Sequence, residues 1–143
     1  MDANEAKRIT TSALERMSKE ESEALEEQQR LEQARLDEIA AKVVTTRALV
    51  DEMIIGTAQG GGARCIYPYT VRIPASRYTT EEIKEIKAQA SEVVTGIIKS
   101  LAAEGFSQNR LESREERDIR DNVNAAPEYY IIPIMVSWPG STT

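Results

Sequence analysis

The sequence contains no histidine and only one cysteine, Cys65. A lone thiol cannot close an internal disulfide. Without imidazole there is neither a Cys/His metal site nor a Ser-His or Cys-His catalytic pair. Aromatics make up only 5% of the 143 residues, and no apolar run approaches the roughly 20 residues that span a bilayer. The N-terminal stretch MDANEAKRITTS has no hydrophobic signal core. These absences predict a soluble protein with no metal and no cofactor, not secreted by a signal peptide. It is expected in the cytoplasm or in an intracellularly assembled particle.

Glycine, proline and aromatics are also absent locally. Met1 to Ile55 contains none of them, and all seven Gly, all five Pro and all seven aromatics fall from Gly56 onward. Charge divides the same way. Residues 1–38 hold 11 Asp/Glu against 6 Lys/Arg, so this stretch carries −5 of the chain's net −6. An acidic surface repels phosphate backbones, which disfavours nucleic acid as a partner.

The first half is rich in Glu, Gln, Lys, Arg, Ala, Leu and Met, and no breaker occurs before Gly56. A helix is predicted from about Ser12 to Ile55, some 60 Å long at 1.5 Å per residue. Ser12–Glu15 and Ser18–Glu21 both have capping-box spacing, and the first ten residues lack an apolar face and are expected to fray. Leu14, Leu25 and Leu36 recur at eleven-residue intervals, the spacing of a nearly straight or slightly right-handed bundle. Glu21, Gln28 and Glu32 interrupt the stripe early. Leu36, Ile39, Val43, Val50, Met53 and Ile54 form a continuous late face, read as the candidate oligomer interface of a coiled-coil-type helix. A domain of about 80 residues is only some 25 Å across, too small to cover so long a helix.

The second half reads as a small module. Gly56–Gly62 is expected to stop the helix and act as a linker. A phosphate-binding reading of its glycines fails, because a P-loop follows a strand and leads into a helix with Gly-Lys-Ser/Thr. Arg64 to Pro74 alternates as a strand, with Cys65, Tyr67, Tyr69, Val71 and Ile73 on one face. Pro68 requires that strand to be unpaired or bulged on one side. Thr79-Thr-Glu-Glu82 is a capping box opening a helix whose apolar spacing runs from Ile83 to Leu101, and Gly105-Phe106 matches a Schellman ending. Ser107 to Asn124 is polar with mixed charge and reads as a loop or short surface helix; Asp121–Asn124 lacks the glycine and distal Glu of a calcium loop. Glu128 to Trp138 is a dense strand, apolar on both faces and broken by Pro133.

The expected architecture is therefore α+β: a long acidic helix at 1–55, a Gly-rich linker at 56–63, and a β-α-(α)-β module at 64–143 with an incomplete, edge-exposed sheet. Subunits could complete one another's sheets. Long helix plus compact α/β unit is similar in architecture to small assembly components such as virion or secretion-apparatus proteins, a likeness of shape and not of motif. The expected function is a non-enzymatic structural or assembly protein whose partners are copies of itself and other protein subunits, with neither nucleic acid nor membrane. Two alternatives are set beside it. One is a regulatory or ligand-sequestering oligomer in which Arg64, Tyr67, Tyr69, Arg72 and Arg77 line a cleft for an anionic small molecule. The other is an enzyme using Glu112, Glu115 and Glu116 as acid and base.

Overall fold

The computed structural model of the chain describes residues 1–74, 77–117 and 127–140. The calcium-loop-like stretch Asp121–Asn124, and the charged run from Asp118 leading into it, lie outside the described residues. The chain divides into two compact units, Met1–Glu38 and Ile39–Thr143. One helix, α1 (Ala3–Gln59), contributes to both. Among the described residues no helix is long and apolar enough to cross a membrane.

In Met1–Glu38 the helix begins nine residues earlier than expected. Asp2 accepts a hydrogen bond from the Glu5 backbone N–H at 2.9 Å, satisfying one of the donors that a helix start leaves open. The surface is laced by Arg16–Glu20, Lys19–Glu23 and Glu27–Arg30 ion pairs. Exposed pairs of this kind support a helix by a few tenths of a kcal/mol each. The Arg30 guanidinium holds the Glu27 carboxyl below its ordinary range.

In Ile39–Thr143, α1 does not stop at Gly56. A single glycine costs about 1 kcal/mol in a helix interior, and the helix runs on to Gln59. It ends where Gly61 turns left-handed (φ 86), with Gly61 N–H donating to Ala58 O at 3.0 Å and Gly62 N–H to Thr57 O at 2.9 Å. That bond pair is a Schellman motif. The expected linker 56–63 therefore shrinks to the residues after Gln59, and the unit boundary falls inside the helix instead of at Ile55. Next come β1 (Arg64–Arg72) and α2 (Thr80–Ala103), which opens on the expected Thr79/Glu82 capping box. α2 closes with Phe106 N–H donating to Leu101 O at 3.1 Å, as the Gly105-Phe106 pair predicts.

In its described part, the polar stretch after α2 forms no surface helix and is not all loop. It supplies β2 (Ser107–Arg110) and β3 (Arg114–Glu116), both on one edge of the last strand, β4 (Tyr129–Ser137), while β1 pairs with the other edge; all pairings are antiparallel. Their polarity reflects an edge position, where charged side chains and short length protect an open flank. β4 is therefore paired on both flanks within one chain, and the outer edges of the sheet fall to β1 on one side and to the short, polar β2 and β3 on the other.

Both prolines sit where the ladder does not need them. Trp138 N–H donates to Ala63 O and Ile73 N–H to Glu128 O, so odd-numbered residues of β1 bond to β4 and Pro68 faces the free edge. There the Thr70 hydroxyl donates to Pro68 O at 3.0 Å, which blunts the edge at its midpoint. Pro133 does not break β4. Its missing N–H points to the opposite flank, at the break between β2 and β3. Across this break, from Arg110↔Ile134 to Arg114↔Ile131, the edge advances four residues while β4 advances three. The neighbour carries a bulge and the central strand runs straight through.

The core lies on one face of the sheet. Ala90, Val93, Val94, Ile97 and Leu101 of α2 pack with Ile132, Ile134 and Val136, and Val50 and Ile54 of α1 join the same cluster. Both helices thus cover the face bearing Cys65, Tyr67, Tyr69 and Val71. Ile131 and Pro133, on the opposite face of β4, are also buried.

Candidate functional site

Three groups of residues come into question. The first is the late helical stripe. Val50 and Ile54 are 0% and 9% exposed, and Ile39 and Val43 pack against the core cluster. Met53 is half-buried, and only Leu36, at 47%, is open to solvent. The candidate interface Leu36, Ile39, Val43, Val50, Met53 and Ile54 is thus corrected: from Ile39 onward it is mainly the module's own core, because α2 supplies the apolar partner that a separate subunit was expected to bring.

On the stripe, the exposed apolar side chains lie earlier, while Val44, Leu49 and Ile55 of α1 are also exposed. Leu14, Met17, Leu25 and Leu36 are each about half exposed or more, on a segment that by itself forms no core. They keep the three-, eight- and eleven-residue spacing of one helical face.

The second group is the arginine–tyrosine set. Strand alternation places Tyr67 and Tyr69 on the helix-covered face and Arg64 and Arg72 on the opposite face. Arg72 pairs there with Glu128 at 3.5 Å, and Arg77 stands in the turn before α2. These residues do not line one cleft. Burial pushes the Tyr67 and Tyr69 hydroxyls upward, with Tyr67 adding to the effect on Tyr69. Burial also raises the Cys65 thiol, opposed by a hydrogen bond with Thr57, so the cysteine is a poor nucleophile.

The third group is carboxylates. Glu115 is on the inner face, paired with Lys87, whose ammonium lies 5.2 Å from the centre of the Tyr130 ring. Glu116 points to the other face and pairs with Arg114 at 2.9 Å. Neighbouring strand residues cannot converge, so Glu115 and Glu116 form no acid–base pair, and Glu112 is exposed between β2 and β3. The hollow beside Lys87, Glu115 and Tyr130 has a volume of about 150 Å³. Small-molecule sites run to roughly 300–1,000 Å³. Among the described residues no three His, Cys, Asp or Glu side chains gather as a metal would require.

One buried polar cluster was not foreseen. Arg47 lies eleven residues after Leu36, on the stripe itself, and is 9% exposed. It donates to Asp51 at 3.0 Å, Ser100 at 2.9 Å and Glu104 at 2.5 Å, and its guanidinium lies 5.7 Å from the centre of the Phe106 ring. Phe106 in turn meets Trp138 edge-on at 6.2 Å. The cluster joins α1 to the end of α2 and the sheet. The only signal in the sequence is an arginine at a stripe position otherwise filled by leucine.

No protein-family model, no characterised protein and no solved structure matches the chain.

Proposed function

We propose that the chain is a non-enzymatic assembly protein in which Met1–Glu38 associates with the same segment of other copies and the α+β module is carried on that association. The observation that supports this reading is the exposed row Leu14, Met17, Leu25 and Leu36 on a helical segment with no core of its own. An isolated helix gains little stability from propensity alone. Burying each of these side chains is worth about 1.5–3 kcal/mol, which association recovers.

Assembly through strand addition is less well supported, because Pro68 and the Thr70 hydroxyl blunt the free edge of β1. An acid–base enzyme and an anion-binding cleft are less well supported too, since their candidate residues sit on opposite faces of the sheet.

Light scattering on the full chain tests the proposal. Wild type is expected at a multiple of the 15.9 kDa chain mass, and Leu25→Glu at a lower mass with the module still folded. A wild-type monomer at all concentrations overturns the reading.

A further inference from the structure

Self-association leaves open how the helices run, and their charges bear on it. Residues 1–19 carry Asp2, Glu5 and Glu15 against Lys7, Arg8, Arg16 and Lys19, a net of +1. Residues 20–38 carry eight acids against Arg30 and Arg35, a net of −6. Side by side in parallel, two such segments stack like on like along their whole length. Reversed, the slightly basic part of each lies along the acidic part of the other, as charge complementarity prefers.

The seam itself gives the same direction. Glu21 and Glu32 interrupt the apolar stripe, so a parallel in-register pair sets Glu21 against its own copy and Glu32 against its own copy. Both are like-charge contacts at desolvated positions. An antiparallel pair centred on Leu25 sets Leu14 opposite Leu36, Glu21 opposite Gln29 and Glu32 opposite Ser18. The last pairing puts Glu32 between the positions that face Arg16 and Lys19. Glu20, Glu23 and Glu27 lie more than a third of a turn from Leu25 on the helix, away from the seam in either arrangement.

We infer that Met1–Glu38 pairs with the same segment of a second copy in antiparallel orientation, centred near Leu25. The inference rests on the self-association proposed above.

Disulfide trapping in the full-length chain decides it, with Cys65→Ser as background and Leu14→Cys or Leu36→Cys added. The expected result is that a mixture of the two variants gives most of its cross-linked dimer as the mixed species, while each alone gives little. Strong cross-linking of each variant with itself means a parallel pair; it overturns the orientation and leaves self-association standing. An oligomeric mass with no cross-link in any combination overturns the Leu25-centred seam. A monomeric mass with no cross-link overturns both the seam and the assembly reading.

Discussion

Gly96 of α2 faces Val43 of α1 so closely that a Cβ on Gly96 would lie 2.6 Å from Cγ2 of Val43. Valine in a helix has one strongly preferred χ1 and yields little. Two effects of Gly96→Ala therefore oppose each other. Helix propensity favours alanine by about 1 kcal/mol, whereas overpacking a helix crossing costs about 1–3 kcal/mol. Net destabilisation is expected by urea denaturation, and it should shrink when Val43→Ala is also present. A Gly96→Ala protein more stable than wild type would show that the helices do not touch there.

Arg47→Ala removes the bonds to Ser100 and Glu104 and the contact with Phe106, and should lower stability by about 1–3 kcal/mol. Arg47→Lys keeps the charge but not the fork of donors, and should recover less than half of that. Glu104→Gln should cost under about 1 kcal/mol, because the Glu104 side chain is 62% exposed. Equal losses for Glu104→Gln and Arg47→Ala would mean that the ion pair, and not the packing, holds the cluster.

Ile97 is fully buried and Ile86 half-buried. Ile97→Ala should cost about 2–5 kcal/mol, and Ile86→Ala distinctly less. Val50→Asp should unfold the module outright, since it leaves an unpaired charge in the core. Leu25→Glu should leave the module's melting temperature unchanged. Circular dichroism at matched concentrations separates these outcomes, and a folded, merely dissociated Val50→Asp protein would restore the late stripe as an interface.

Burial raises the Cys65 thiol above its ordinary 9.0, and the Tyr67 and Tyr69 phenols above their ordinary 10.0. As pH rises, the unfolded chain loses these protons first. The folded chain then binds more protons, and stability present below the ordinary values declines as pH climbs through and past them. The urea midpoint should fall from about pH 8 to about pH 11, and fall less steeply with Tyr67→Phe and Tyr69→Phe together. A slope unchanged by both substitutions would show that the phenols are as hydrated in the fold as in the open chain.

Much of the fold is legible in the sequence because it rests on local chemistry. The helix of α2 begins where Thr79 and Glu82 can cap one another and ends where Gly105 can turn left-handed. β1 alternates because its side chains do. The lack of breakers before Gly56 predicts α1, although Asp2 starts the helix earlier and the Schellman bonds of Gly61 and Gly62 end it later than composition suggests. Candidate sites were less legible. Arg64 and Tyr67 are three apart in sequence, but strand alternation sends them to opposite faces.

Residue order by itself determined the two helices and the strands β1 and β4, the acidity of the first segment and the eleven-residue stripe, since propensity, capping and periodicity act over a few neighbouring residues. Only the tertiary structure decided what the stripe packs against. The same spacing of apolar side chains continues from Leu14 to Ile54, yet Val50 and Ile54 are enclosed by α2 while Leu14 and Leu25 stand in solvent. Burial is a property of what comes near in space, and the partner of Val43 is a glycine more than fifty residues away. The edge strands β2 and β3 were hidden for the same reason: their polar residues form a strand because β4 offers a ladder beside a proline that needs none.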